Sequence, residues 1–480
     1  MLVRQLLDPS LAQYAYLIGC PRTGEAIVFD PERDIDRYYA VAEQHKLRIV
    51  AAADTHIHAD YVSGLREFAE RGVKVYASDE GGADWRYEWL LGSAYPHQLV
   101  KHGDRFTVGN IEFVVMHTPG HTPEHVCYEV IDHGSGASEP MGIVTGDFVF
   151  VGDLGRPDLL EQAAGVTGTM VPGAKQLYHS LERFRRLSPY VQVWPAHGAG
   201  SACGKSLGDI PMSTVGYELR FNPAVQAATS EAAFVDYILA GQPEPPMYFA
   251  RMKRDNKIGP KVLGGVPKLP HLEPQALEAI ANRTDVVVLD TRGRVDFLKA
   301  HLPKSLLCEM DYQFVNIAGS YVDEGVPMYL VIDEARVDEA VRMLIRIGLD
   351  DVRGYVTPAD LAAYVAAGGT TASIESISMT ELERRRADGR VTVLDVRGKV
   401  DYDAAHVPGA LNIAHTRLFV RIGEVPRGLP VAVHCQSGAR SAHAVALLER
   451  MGYTPVNVAD KFTNYQQGQV LQQTGAPAHA

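Results

Sequence analysis

Thr55-His56-Ile57-His58-Ala59-Asp60-Tyr61 follows directly on the apolar run Arg48-Ile49-Val50-Ala51-Ala52-Ala53. A short apolar run bounded by turn residues reads as a buried strand. Two histidines and an aspartate within five residues, on the turn that leaves such a strand, have the spacing of a metal-binding loop. Three more turns of this kind follow in order. They are Thr118-Pro119-Gly120-His121-Thr122, then Thr145-Gly146-Asp147 after the run Met141 to Val144, then Pro195-Ala196-His197-Gly198. Each puts a histidine or aspartate just past an apolar run, where side chains converge at one edge of a sheet. One such histidine would read as an ordinary surface residue; four turns in series read as a metal centre.

Outward from this loop, residues 1 to about 240 alternate apolar runs with Gly and Asp turns, among them Val73-Lys74-Val75-Tyr76-Ala77 and Ile111-Glu112-Phe113-Val114-Val115-Met116. These predict strands with helices between them. Seven prolines between Gly241 and Pro274 argue against a helix or central strand there, so residues 246–269 are expected to be an extended linker. Beyond it the chain repeats itself. Val288-Leu289-Asp290-Thr291-Arg292-Gly293 recurs 105 positions later as Val393-Leu394-Asp395-Val396-Arg397-Gly398, and Ala300-His301-Leu302-Pro303 as Ala405-His406-Val407-Pro408. A repeat of this length marks two copies of one small domain. Strand–helix alternation within each copy implies a parallel sheet with helices on its faces.

The first set of turns resembles the metallo-β-lactamase fold, whose metal loop reads HxHxDH. Here the last position of that loop is Tyr61. In the dinuclear hydrolases of that fold, such as glyoxalase II, the final histidine holds a second metal, and a tyrosine with a pKa of about 10 is a poor substitute. The resemblance therefore points to one metal. Two imidazoles and one carboxylate with open positions are the facial arrangement of non-haem iron(II) oxygenases, and the persulfide dioxygenase branch of the fold looks like this. By that resemblance His56, His121 and Asp147 hold one Fe(II) per chain, while His58, Asp60 and His197 lie near it. Arg156, in Gly152-Asp153-Leu154-Gly155-Arg156-Pro157-Asp158, holds an anionic part of the substrate or pairs with a nearby aspartate. His117, His125 and Cys127 are expected in the packing. The implied reaction puts both atoms of O2 on the terminal sulfur of a thiol persulfide and releases sulfite and thiol.

Near the other end, Pro430-Val431-Ala432-Val433-His434 predicts a strand and Cys435-Gln436-Ser437-Gly438-Ala439-Arg440-Ser441 the loop that enters a helix. Unpaired backbone N–H groups at the helix start, with Arg440, stabilise a thiolate and equally a persulfide on Cys435. The C-x4-R spacing resembles the loop of rhodanese sulfurtransferases, and is shorter than the C-x5-R loop of the related phosphatases. By that match Cys435 carries sulfur, Arg440 holds its anion, and Asp395 and Arg397 support the loop. The middle copy has Asp333-Glu334-Ala335-Arg336 where the cysteine loop would fall, so it is expected to be inactive, with Cys308 in its core. Cys203, six residues past His197 on a Gly-rich loop, is either a sulfur relay or a thiol without a role. The Gly-Lys-Ser that follows lacks the first glycine of a phosphate-binding loop.

The expected fold class is α/β multidomain: an αββα metallo-β-lactamase fold over 1–245, then an inactive rhodanese-like domain over 270–368 and an active one over 374–472, both with parallel sheets. The chain has 480 residues, ordinary globular composition and a net charge of −12, which gives nucleic acid or an anionic membrane no electrostatic attraction. No apolar run approaches the roughly 20 residues of a membrane span. The five cysteines are widely spaced and never CxxC, which suits free thiols in the cytoplasm. The expected partners are a small-molecule thiol persulfide, O2, and sulfite or thiosulfate. Self-association and the carrier thiol are left open. Two other readings stand beside this one: a dinuclear zinc thioester hydrolase fused to a sulfurtransferase, and a sulfur-sensing or sulfur-carrying module without redox chemistry.

Overall fold

The structure, a computed structural model, describes residues 1–163 and 165–465. It divides into two compact units. The first is Met1–Pro267 together with Ile345–Gly348, and the second takes in Lys268–Leu344 and the chain from Leu349 onward. The last seven residues of the domain expected over 374–472 lie outside the described residues.

In the first unit two six-stranded sheets are present among the described residues. One runs in chain order from Leu2–Asp8 to His97–Val100, antiparallel at its start and parallel from Glu25–Phe29 onward. The other runs Ser213–Thr214, Gln192–Pro195, Gly142–Gly146, Val126–Asp132, Ile111–His117, Arg105–Val108. Their inner faces share one core, in which Phe29, Phe113, Tyr128, Tyr16 and Trp194 are fully or almost fully buried. The outer face of the first sheet is covered by the helices Asp36–Gln44 and Leu65–Glu70 through Tyr38, Ala42, Leu65 and Phe68. The outer face of the second is covered by Met170–Phe184 and Glu231–Leu239 through Leu177, Leu181, Phe184, Phe234 and Ile238. This is the αββα layering expected.

The expected linker over 246–269 is a correction. Phe249–Ile258 is an α-helix in this stretch, with Phe249, Met252 and Asn256 buried. The prolines lie at 243, 245 and 246 on one side and from 260 onward on the other. The interval between them is proline-free, so no helical hydrogen bond inside it is lost. The first unit therefore runs past residue 245, to Pro267. Arg346 also belongs to it: its guanidinium donates to Asp8 Oδ2 at 2.7 Å and to both oxygens of Asp34 at 2.9 and 2.6 Å.

The second unit holds both repeats. Each has its own parallel sheet, with the order Leu306–Leu307, Val287–Asp290, Met328–Val331, Val352–Val356 in the first copy. In the second copy it is Ser376–Ile377, Pro455–Val458, Val431–His434, Thr392–Asp395, Leu411–Asn412. The repeated motifs play the same part twice. Arg292 forks onto Asp290 and donates to the Ala300 carbonyl at 2.8 Å; Arg397 forks onto Asp395 and donates to the Ala405 carbonyl at 2.7 Å. His301 stacks on Phe297 at 4.0 Å and His406 on Tyr402 at 3.9 Å. Asp-x-Arg thus braces the turn that carries His-x-Pro, a structural role in both copies. The copies meet where His443 Nδ1 lies 3.0 Å from the Leu307 carbonyl and Arg450 donates to the carbonyls of Val286 and Lys304.

Candidate active sites

The four ordered turns of the first unit converge. One potential ligand atom from each of His56, His121 and Asp147 lies within 4.8 Å of the others, and all three residues are buried. Asp147 Oδ2 is 3.4 Å from His121 Nε2 and 4.0 Å from His56 Nε2. The rings are aimed from behind. His121 Nδ1 sits 2.9 Å from the Arg156 carbonyl, which fixes that nitrogen as the N–H and leaves the Nε2 lone pair facing the centre. His56 Nδ1 lies 3.0 Å from Thr55 Oγ1, and the Thr55 N–H and hydroxyl both donate to Asp30. Burial holds the His56 and His121 pKa values well below the usual one, so both are neutral and able to ligate. Gly146 adopts φ +52°, and a Cβ there would come within 2.4 Å of Thr55 Oγ1 and 2.7 Å of His125 Nε2. Only glycine lets the chain turn Asp147 inward at this point.

His125, expected as packing, instead positions the backbone of Asp147. Its Nε2 accepts from the Asp147 N–H at 3.1 Å, and its Nδ1 is 2.8 Å from Thr118 Oγ1. Cys127 is fully buried, 3.2 Å from Thr118 Oγ1, and His117 is half-buried with its Nε2 2.8 Å from the Pro123 carbonyl. His58 lies outside the three-residue group, with its Nδ1 buried and without a hydrogen-bond partner. Its Nε2 lies 3.2 Å from Asp30 Oδ1 and 3.8 Å from Asp54 Oδ1. Burial opposes its charge, but Asp30, Asp54 and Asp60 outweigh it and raise its pKa to about 9. Tyr61 donates to the Asp30 carbonyl at 3.1 Å, accepts from Gln13 Nε2 at 3.0 Å and stacks on His58. Burial lifts its pKa well above the usual phenol value, so it sits there as a neutral hydrogen-bonding group.

Asp60, His197 and Cys203 form a second buried group beside the first. His197 Nε2 is 3.3 Å from both Asp60 Oδ2 and Asp147 Oδ1, so Asp147 turns one oxygen to each group. Asp147 Oδ1 and Oδ2, Asp60 Oδ2 and His197 Nε2 are all buried without a hydrogen-bond partner. Leaving such atoms unsatisfied is costly, and a bound cation is the group that their arrangement fits. The Cys203 loop is anchored by Asp153, which accepts from the N–H groups of Lys205 and Ser206 at 2.8 and 2.9 Å. The backbone donors of Gly-Lys-Ser are thus occupied by the protein's own carboxylate, in keeping with the rejection of a phosphate loop. Burial, with Asp147 and Asp60 nearby, raises the Cys203 pKa well above the usual thiol value.

Arg156 takes the second of its two expected roles. It is 1% exposed and forks onto Asp158 at 2.8 and 2.7 Å, with Nη1 donating to the carbonyls of Ala202 and Pro243. Its donors are committed to the protein, which removes it as a substrate-holding residue. Several supporting residues gave no sequence signal. Tyr87 donates to the His56 carbonyl at 2.6 Å and Glu124 Oε1 accepts from the Ile57 N–H at 2.9 Å. Asn256 donates to the carbonyls of His58 and Tyr61 at 2.9 and 2.7 Å and accepts from the Ser63 N–H at 2.8 Å. The buried amide of the Phe249–Ile258 helix thus ties down the chain from His58 to Ser63.

In the second unit Cys435 is 1% exposed at the end of Val431–His434. Its sulfur accepts from the Gly438 N–H at 3.2 Å. Gly438 caps the helix Ala439–Arg450 at φ +86°, where a Cβ would meet the Ala459 carbonyl at 2.9 Å. Arg440 follows, 3.8 Å from Asp401 and partly exposed. At the position of Cys435 in the sheet register the first copy has buried Ile332, followed by exposed Asp333. Cys308 is buried and donates to the Phe314 carbonyl at 3.3 Å.

Known proteins divide the chain in the same way. The family model of the metallo-beta-lactamase superfamily matches residues 9–197. A solved metallo-beta-lactamase from Staphylococcus aureus subsp. aureus COL is 39% identical, covers 75% of this chain and 99% of its own, and superposes with a TM-score of 0.66. The chain belongs to the metallo-β-lactamase superfamily. This superfamily member also carries a rhodanese-like domain, matched over residues 378–466. Among curated relatives, the mitochondrial persulfide dioxygenase of Bos taurus is 27% identical over 237 residues, 48% of this chain and 78% of its own. The cytoplasmic hydroxyacylglutathione hydrolase of Arabidopsis thaliana is 30% identical over 234 residues, 45% of this chain and 85% of its own. Among the described residues no helix is long and apolar enough to cross a membrane.

Proposed function

We propose that this protein oxidises a low-molecular-weight thiol persulfide with O2 to sulfite and thiol, and that its last domain passes a sulfane sulfur to sulfite to give thiosulfate. The observation that carries the first half is the three-donor group of His56, His121 and Asp147, with Tyr61 held in a hydrogen bond to the Asp30 carbonyl. The persulfide dioxygenase relative supports the same reading. Bound by these three residues, one iron(II) supplies the centre at which O2 meets sulfur. The residues around it do the rest. Thr55 and the Arg156 carbonyl hold the imidazoles in their ligating orientation, and His125 holds the backbone of Asp147. The balance is persulfide, O2 and water to thiol and sulfite. In the last domain Cys435 takes the outer sulfur of a persulfide and releases the thiol. Sulfite then attacks that sulfur and leaves as thiosulfate, restoring the thiolate. Gly438 N–H and Arg440 hold the charge on sulfur. The middle copy, with buried Ile332 in place of a sulfur carrier, is inactive in this scheme.

A second reading rests on Asp60, His197 and Cys203: a dinuclear zinc thioester hydrolase, as in the hydroxyacylglutathione hydrolase relative. Metal analysis of the purified chain, with O2 uptake and sulfite release on a thiol persulfide, separates the two. We expect one iron per chain and O2-dependent sulfite. Two zincs with thioester hydrolysis would replace the proposal by the second reading, and a metal-free protein would leave a sulfur carrier without redox chemistry. Tyr61→His restores the missing ligand type of the loop beside Asp60. It is expected to raise zinc bound after zinc loading above one per chain; a wild-type protein already holding two would refute the exclusion by Tyr61.

A further inference from the structure

We propose that the inactive repeat supplies half of a donor site for the active one: an anionic organic persulfide seats its carrier part in the cavity between the two repeats, against Arg294 and Lys299 of the first copy, with its sulfur end at the Cys435 loop. This rests on the reading of Cys435 as the sulfur carrier. Both repeats belong to the second unit. The cavity between them measures about 700 Å³, within the range of roughly 300–1,000 Å³ usual for small-molecule sites. One wall is the helix Arg294–Lys299 of the first copy, and another is formed by Ser437, Gly438 and Ala459 of the second. The helix comes after the strand Val287–Asp290, the Cys435 loop after Val431–His434, and Ala459 after Pro455–Val458. These walls stand at the carboxyl ends of parallel strands, which is where open α/β sheets bind ligands.

The cavity is tied to the reactive sulfur. Gly438 N–H donates to Cys435 Sγ at 3.2 Å, and exposed Ser437 lines the cavity two residues from the thiol. Asn457, also in the wall, accepts from Ser441 Oγ at 2.9 Å, and Ser441 Oγ lies 3.8 Å from Cys435 Sγ. The lining is cationic. Arg294, Val295, Leu298 and Lys299 share one helical face. Lys299 is exposed and has no ion-pair partner among the described residues. Arg294 makes a long contact, 3.6 Å, with Glu309. Glu375, an acid in the same lining, is held by Arg385 at 2.8 and 2.6 Å, so its charge is already answered. In a chain of net charge −12 the two cations favour an anionic ligand. Val295, 62% exposed, offers apolar surface beside them. Sulfite or thiosulfate alone would leave most of this volume empty, and a donor with an organic carrier fits it. A carboxylate or a phosphate on that carrier would pair with Lys299 equally. In the transfer the Cys435 thiolate attacks the donor's outer sulfur. A sulfur–sulfur bond forms to Cys435, the donor's own sulfur–sulfur bond breaks, and the carrier leaves as its thiolate.

The test is sulfur transfer by the full chain under argon, where the O2-dependent reaction of the first unit is silent. The donors are glutathione persulfide, coenzyme A persulfide, the uncharged persulfide of 2-mercaptoethanol, and thiosulfate. The first two set carboxylate against phosphate, and the lower KM names the source. Val295→Trp puts bulk into the cavity at an exposed position. It is expected to lower kcat/KM for the anionic persulfides at least about tenfold relative to thiosulfate, mainly through KM. Lys299→Met is expected to reduce the preference for the anionic over the uncharged persulfide about tenfold, and Lys299→Arg to restore it. Wild-type preferences in both Val295→Trp and Lys299→Met overturn the proposal. If that protein still turns over thiosulfate and cyanide, the reading of Cys435 stands and the cavity alone is wrong. A folded wild-type chain inactive with thiosulfate and cyanide would instead remove the reading of Cys435 and take the proposal with it.

Discussion

His121→Ala is expected to take iron from one per chain to near none and to abolish O2 uptake. The group has three donors, and without His121 only His56 and Asp147, 4.0 Å apart, remain of it. Loss of outer-shell partners alone costs metal sites about 10–100-fold, so loss of a ligand is expected to exceed the top of that range. The lost ring is buried, and the fold rests on the sheet cores around it, so the variant should remain folded. It should also retain rhodanese activity on thiosulfate and cyanide, because Cys435 belongs to the other unit. Iron content equal to wild type in a folded His121→Ala protein would remove His121 from the ligand set.

Cys435→Ser should produce the complementary loss. A serine hydroxyl stays protonated near neutral pH and forms no persulfide, so thiosulfate formation from sulfite should fall by at least about a thousandfold. The Gly438 N–H and the helix start remain to hold the loop, which argues against a folding defect. O2-dependent sulfite formation from a small-molecule persulfide should persist. Cys203→Ser, run beside it, decides between the two readings of that thiol: slower persulfide oxidation with an intact rhodanese assay makes it a sulfur relay, and unchanged oxidation makes it a thiol without a role. Loss of O2 uptake in a folded, iron-replete Cys435→Ser protein would mean that sulfur enters through the last domain, and independent sites would be refuted.

The convergence of the four turns was legible because their histidines and aspartate sit immediately after strands, where sequence spacing converts directly into proximity. His56, His121 and Asp147 come together in one buried group and His197 in the next. The cysteine loop was legible for the same reason, and the repeat exposed the bracing role of Asp-x-Arg. What could not be read were single polar residues that reach the site from far along the chain. Asn256 contacts a loop nearly 200 positions earlier, and nothing in its neighbours marks it. Arg156 failed as a substrate residue because its partner Asp158 stood two positions away in a stretch that offered both readings. The linker was misread because prolines were weighed over the whole stretch, although they stand at its two ends. A helix needs only the interval between them.

The buried cation Arg346 has an evolutionary corollary. Fusions of catalytic modules are usually pictured as beads exchanged by recombination at the joints. Here the first bead borrows Ile345–Gly348 from far downstream, and a gene cut after Pro267 would strip the guanidinium from the carboxylates of Asp8 and Asp34. Removing one partner of a buried ion pair costs about 3–5 kcal/mol, a large share of the stability of an ordinary domain. A chain without the rhodanese-like half would have to neutralise those acids. The first unit of this chain is in that sense tied to its second by four residues, and the trace to seek in single-domain relatives is uncharged side chains at positions 8 and 34.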